Sequence, residues 1–192
     1  MGISVAALPE VAEQVAHGLL GAMTARWQHT AGVAKRAAEL ARRLPVDREV
    51  LVAAAWLHDI GYADAARVTG FHPLDGAAYL AVRRWPVRVV GLVAQHSGAE
   101  FVAAARGLAD ALAAYPDGGG LLSDALTYAD QTVGPRGHRV TPGQRRSEML
   151  RRHGPTSWNA LVDNVRAPHL RAVADRVERC LAESARLQSA RS

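Results

Sequence analysis

The stretch Val50–Leu51–Val52–Ala53–Ala54–Ala55–Trp56–Leu57–His58–Asp59–Ile60–Gly61 decides the reading of this chain. Val50, Leu51, Ala54 and Leu57 recur at the spacing of one helix face. Asp47, just after Pro45, is placed to cap that helix at its start. At the other end His58 and Asp59 fall side by side, and Gly61 stands where a helix often ends in a left-handed turn. Adjacent helical residues diverge by roughly 100°, so both side chains reach one point only beside the axis or at a fraying end.

Working outward, the spacing predicts helices on both sides. A helix from about Pro9 to Met23 is followed by one from about Arg26 to Leu44, which carries His29, Val33, Ala37, Leu40 and Leu44 along one side. Beyond Gly61 a loop leads to His72, and Pro73 suits the first turn of a helix reaching about Arg84. Pro86 opens another that ends near His96, and a further helix covers about Ala99 to Tyr115. Pro116–Asp117–Gly118–Gly119–Gly120 is a break. The helix after it, from about Leu121 to Gln131, bears Asp130 near its end. Gly134–Pro135–Arg136–Gly137–His138 reads as a loop, and Thr141 and Gln144 have the spacing of a capping box that opens a helix to about Arg152. The last helix runs from about Pro168 to Leu187, with Leu170, Val173, Val177, Cys180 and Leu181 as its stripe. No segment alternates strictly, so the expected fold is all-α: one compact multi-helix bundle over residues 1–192 with essentially no sheet.

Composition agrees. Hydrophobic residues make up 49% of the chain and alanine is abundant, which favours a helical core over disorder. The formal net charge is +5 and nearly all the positive charge is arginine, since Lys35 is the only lysine. Arginine presents a rigid fork of donors to phosphate, although doublets such as Arg42–Arg43 and Arg151–Arg152 also suit solvated outer faces. With aromatics at 5% and no recognition motif, nucleic-acid binding is not indicated. Cys180, the single cysteine, has no internal disulfide partner and reads as a small core residue in a reducing compartment. No leader pattern opens the chain and no apolar run is long enough to cross a bilayer, so the expected location is cytoplasmic.

His29, His58, Asp59 and Asp130 together make a mixed nitrogen and oxygen donor set. Such a set suits one or two divalent ions (manganese, iron, cobalt, nickel or zinc, with magnesium as a further option). His72 precedes a helix and His96 ends one, which makes them candidates for a second ion. A bridging Asp59 would place His29, His58, Asp59 and Asp130 on a first ion, and Asp59, His72 and His96 on a second. Each residue also has a structural reading. A lone histidine is commonly a hydrogen-bonded core group, His72 can simply stop a segment before Pro73, and Asp130 has rivals in Asp124 and Asp117. His17, His138, His153 and His169 lie among polar or loop residues and are given no metal role.

The segments Arg26–Trp27–Gln28–His29–Thr30, Trp56–Leu57–His58–Asp59–Ile60–Gly61 and Tyr128–Ala129–Asp130–Gln131–Thr132 resemble the HD-domain metal-dependent phosphohydrolase superfamily, over about residues 26 to 135. The resemblance implies an all-helical core and, as ligands of the primary ion, His29, His58, Asp59 and Asp130. His72 and His96 match the extra histidines of the family's dinuclear members. Ser97–Gly98–Ala99–Glu100 stands where the cyclic-dinucleotide branch has Gly-Tyr-Pro. Gly61–Tyr62–Ala63 lacks the lysine common in the dinucleoside polyphosphate hydrolases.

The resemblance implies hydrolysis of a phosphate ester or anhydride, of a nucleotide or another small phosphorylated metabolite, with Asp59 and His58 at the catalytic centre. Arg83, Arg84 and Arg136, with Arg139 behind them, are the arginines read as binding phosphate. Two alternatives stay open: a diiron oxygenase of the same superfamily, and a module that binds a metal or nucleotide without turnover. The complete ligand set speaks against the second.

Overall fold

A computed structural model describes residues 7–190. The opening stretch on which the absence of a leader was read lies, as far as residue 6, outside the described residues. The chain forms α1 (Leu8–Leu20), α2 (Thr24–Ala41), α3 (Arg48–Leu57), α4 (His72–Val82), α5 (Val87–Gln95), α6 (Ala99–Ala105), α7 (Ala109–Ala113), α8 (Gly120–Gln131), α9 (Pro142–His153), α10 (Trp158–Leu161) and α11 (Asp163–Ser189). Among the described residues the only β pairing is an isolated bridge between Val133 and Arg139. The expected all-α fold is therefore observed. Among the described residues no helix is long and apolar enough to cross a membrane.

The middle of the molecule is α3. Val50, Leu51, Val52, Ala53, Ala54, Ala55 and Leu57 are all buried. A helix that is apolar nearly all round must be enclosed by others, and α1, α2, α5 and α8 pack on it. Its start is fixed as the sequence indicates: the Asp47 carboxylate accepts the Val50 N–H at 3.2 Å. Its end delivers His58 and Asp59 into the centre of the bundle, where they are 0% and 3% exposed.

Gly61 works differently from the expectation. It lies in a short 3₁₀ turn, Ile60–Tyr62, and its φ is not positive. What requires glycine is proximity, because a Cβ there would lie 2.1 Å from the carbonyl oxygen of His72. The turn after α3 thus seats directly on the start of α4. That start is locked a second way: buried Asp75 accepts from Thr69 N, Thr69 Oγ1 and Gly70 N at 2.8, 2.7 and 2.9 Å.

Two elements depart from the periodicity. The single helix expected over Ala99–Tyr115 is two, α6 and α7, broken where Gly107 takes φ 70°. The last helix begins at Asp163, so Pro168 lies inside it rather than at its start. Proline there forfeits one backbone hydrogen bond. Burial of Arg166 and Ala167 in the preceding turn holds the helix together across that position, as tertiary packing commonly does. The short α10, capped by Ser157, has no counterpart in the sequence reading. Cys180 is a free, partly buried thiol packed against the core.

Candidate metal centre

Five elements bring the donor groups together. His29 comes from α2, His58 and Asp59 from the end of α3, His72 from the start of α4, and His96 from just beyond α5, while Asp130 comes from the last turn of α8. All six residues expected from the sequence are gathered at one place. Their donor atoms form two clusters, His29–His58–Asp130 and Asp59–His72–His96, each within 4.8 Å. Asp59 lies between them: its Oδ2 is 3.3 Å from His58 Nε2 and 3.8 Å from His29 Nε2, and its Oδ1 is 3.3 Å from His72 Nε2.

The hydrogen bonds fix which nitrogen of each ring faces inward. Nδ1 of His29, His58 and His96 lies 3.2, 2.8 and 2.7 Å from the carbonyl oxygens of Gly134, Ala55 and Val93. A carbonyl only accepts, so each Nδ1 carries the proton and each Nε2 of a neutral ring presents a lone pair. Those lone pairs meet other electron-rich atoms. His96 Nε2 is 3.4 Å from His72 Nε2 and buried His58 Nε2 has no hydrogen-bond partner, while His29 Nε2 lies 3.0 Å from Asp130 Oδ1 with Arg145 Nη2 beside it at 3.4 Å. Facing lone pairs are repulsive unless a cation lies among them. Backbone acceptors behind a ring that offers its other nitrogen are the usual support of a metal-binding histidine. The donor set therefore fits one or two divalent metal ions.

Burial favours the neutral rings. It holds His29 below its ordinary value, His72 well below it, and His96 down at about 4. His58 is the exception: burial lowers it, but the adjacent Asp59 carboxylate overrides that and raises it. Burial would also raise Asp59 and Asp130. At Asp59 the Arg26 guanidinium together with His58 and His72 outweighs this, and at Asp130 Arg145 together with His29 and His58 does so, so both carboxylates are held well below their usual range.

These directions set an acid limit on the metal-free protein. A histidine buried neutral binds fewer protons folded than unfolded, so stability falls as the pH drops below 6.5 and continues to fall towards about 4, the His96 value. Depressed Asp59 and Asp130 act in the same direction at lower pH, since their contribution is lost as the pH falls through their folded values. Raised His58 opposes them, one ring against three. The unfolding temperature of chelator-treated protein should therefore decline steadily from pH 6.5 to 4. A flat profile over that range would contradict neutral burial of these imidazoles.

Around the clusters lies a cavity of about 70 Å³. Four arginines line it: Arg26, Arg145, Arg152 and Arg166. Arg26 donates to Asp59 Oδ2 at 2.5 Å and lies over the Tyr62 ring, which in turn stacks on His72 with 4.1 Å between ring centres. Buried Arg145 donates to Asp130 Oδ1 at 3.2 Å and to Glu148 at 2.8 Å. Arg166 donates to the Ser97 carbonyl at 2.8 Å. Ser97 takes the left-handed φ of 57° and bonds Asp130 Oδ2 through its hydroxyl at 2.5 Å. Such backbone in a residue other than glycine costs about 1–3 kcal/mol and persists where surrounding contacts impose it. Here it aims the hydroxyl at Asp130.

The arginines read from the sequence are not these. Arg83 and Arg84 close α4 at the end opposite His72, about 16 Å away along the helix axis. Arg83 rests on its own Tyr79 ring. Arg136 and Arg139 line a neighbouring pocket instead. Of the four observed, only Arg26 had a local signal, since it precedes His29 by three residues and shares its side of α2. Asp124 is paired with Arg176 and Asp117 holds its own turn through Gly119 N and Ser123 Oγ, so Asp130 alone of the three rivals reaches the clusters. His17, His138, His153 and His169 join neither cluster, although His153 lines the cavity.

A family model for the HD domain matches residues 26–126 of the 192-residue chain. The matched stretch holds five of the six clustered residues and stops short of Asp130, which the 3.0 Å contact with His29 supplies. No curated protein and no solved structure gives a significant match. With more than half of its length matched, and with His/Asp groups positioned to bind metal, the chain belongs to the HD-domain family, within a superfamily of metal-dependent hydrolases.

Proposed function

We propose that this protein is a metal-dependent phosphohydrolase acting on a phosphate ester or anhydride of a small metabolite, a nucleotide among the options. The observation that carries the reading is the pairing of two donor clusters with an arginine-lined cavity of about 70 Å³. That volume suits a phosphoryl group rather than a whole organic substrate. His29, His58, Asp59 and Asp130 would hold a first ion, and Asp59, His72 and His96 a second, with Asp59 shared. Bound divalent ions of this kind supply Lewis acidity and an activated water at neutral pH.

The chain's own residues do the rest. Arg26 and Arg152 present charge to phosphate oxygens at the mouth, where a guanidinium fork fits two oxygens at once. Arg145, Ser97 and Gln131 hold the Asp130 carboxylate from three sides. Tyr62 fixes the plane of His72. A cavity rim of four arginines fits an anionic substrate better than the neutral small molecule of an oxygenase. The lone free cysteine accords with a reducing, cytoplasmic setting.

The test is metal quantification on the purified protein, followed by a screen of phosphomonoesters, phosphodiesters and phosphoanhydrides with manganese, iron, cobalt or nickel. Metal-dependent phosphate release that a chelator abolishes is expected. Oxygen uptake with a small organic substrate, and no phosphate release from any ester, would overturn the reading.

A further inference from the structure

Beside the metal centre lies a second pocket of about 420 Å³, between the 134–139 loop and α9. It lies wholly beyond residues 26–126, the part matched by the family model. Arg136, His138, Arg139, Arg145, Arg151 and Glu148 supply its charged and ionisable side chains. Their pairing is uneven. Arg139 is ion-paired with Glu39. Glu148 is already engaged by Arg145 at 2.8 Å and Arg152 at 3.4 Å. Arg136 and Arg151 have neither a hydrogen-bond nor an ion-pair partner among the described residues. Arg145, 7% exposed, lines both this pocket and the metal cavity, and its Nε is buried without a partner. No Trp, Tyr or Phe lines the pocket, so it offers no ring of those residues for a base to stack on.

The loop is seated before any ligand arrives. Gly134 N bonds His138 O at 2.9 Å and Gly137 N bonds Gly134 O at 3.0 Å. A Cβ on Gly32 would fall 2.7 Å from Gly137 Cα, so the loop rests directly on the backbone of α2. Arg136 is thus presented from a fixed turn, and little ordering is left to lose on binding.

We infer that this pocket is a second anion subsite, which holds the distal phosphate of a substrate whose reacting phosphoryl group lies at the metal clusters. The substrate class is then a linear phosphoanhydride or other polyphosphorylated molecule, and Arg145 is the side chain common to both positions. The small volume of the metal cavity requires the remainder of any such substrate to lie outside it, and the neighbouring pocket is the adjacent space carrying unpaired positive charge. This inference rests on the phosphohydrolase reading for its link to turnover, but not for the binding itself.

The experiment measures binding of inorganic tripolyphosphate and of orthophosphate to the manganese-loaded full-length protein. The unaltered protein is expected to prefer tripolyphosphate by about tenfold to a hundredfold, the size of one or two charge-assisted contacts. Arg136→Gln with Arg151→Gln should reduce that preference to within about twofold. Both residues are exposed and unpartnered, so folding is not at stake, and an unchanged unfolding temperature verifies this. Arg171→Gln with Arg179→Gln, which removes the same charge from the exposed side of α11, should leave the preference intact. A preference that survives in the Arg136/Arg151 variant, or is lost equally in the α11 variant, overturns the subsite. Turnover is read separately on the unaltered protein. If no phosphoester or anhydride is hydrolysed while the preference still depends on Arg136 and Arg151, the subsite stands and the hydrolase reading falls.

Discussion

Replacing Asp59 with alanine is expected to strip metal from the protein and to lower turnover at least about a hundredfold, because each 1.36 kcal/mol of lost transition-state stabilisation is tenfold in rate. Among the described residues Asp59 is the side chain whose oxygens contact both clusters: Oδ1 meets His72, and Oδ2 meets His58 and His29. The change also leaves Arg26 uncompensated. That side chain is 16% exposed and donates to Asp59 at 2.5 Å. Removing one partner of a buried pair commonly costs about 3–5 kcal/mol. Cation–π contact with Tyr62 offsets only part of this, so a lower unfolding temperature should accompany the loss of metal. Asp59→Asn separates the two effects, since it retains volume and one oxygen while removing the charge. Metal content per chain is the deciding measurement. If metal and activity both survive Asp59→Ala, the assignment of the whole centre is wrong.

The second large effect is structural. Gly61→Ala would place a methyl carbon 2.1 Å from His72 O, 2.7 Å from Gly76 N and 2.8 Å from His72 C. All three are backbone atoms, so no side chain can rotate away. Overpacking usually costs about 1–3 kcal/mol, and a clash with backbone belongs at or above the upper end. For a chain of this size that corresponds to a fall of roughly 10 °C in unfolding temperature. The displaced backbone belongs to His72, so metal affinity at its cluster should weaken too. Gly76→Ala is the comparison, because its nearest contacts are 3.2–3.4 Å and the Val93 and Ile60 side chains among them can shift. A Gly61→Ala protein as stable as the Gly76→Ala protein would show that the α3–α4 junction is not as tight as described.

Much of this was legible in the residues. The period of α3 and the Asp47 cap come straight from the chain, and so does the capping box, with Thr141 accepting from Gln144 N and Gln144 returning the bond. The six donors were legible through the resemblance of their segments to the HD-domain superfamily, since each histidine or aspartate taken alone reads as readily as a core or surface group. Gly61 was noticed for the wrong physical reason: sequence offers a rule for left-handed caps, but not for the approach of another segment's backbone. The arginines failed for a related cause. Arg83 and Arg136 look no different from Arg145 and Arg166 in sequence. What separates them is which helix turns towards the clusters, and that is decided by how α9 and α11 pack. Pro168 misled in the same way, since it looks like a helix start until the burial of Arg166 is known.

The bonds that close the centre span long reaches of chain. His29 joins Asp130 across 101 residues and Gly134 across 105, and Arg166 reaches back 69 residues to Ser97. Contacts of such separation form late, because each must first overcome the entropy of closing its loop. During synthesis the helical core around α3 can assemble while the imidazoles are still only partly supported. The site becomes complete once residue 166, well past the family-matched stretch, has docked. A chain cut at the family boundary would then keep most of the donor atoms and lose the order of events that makes them a centre. Removing the residues beyond 126 should therefore weaken metal binding even though five of the six donor residues remain.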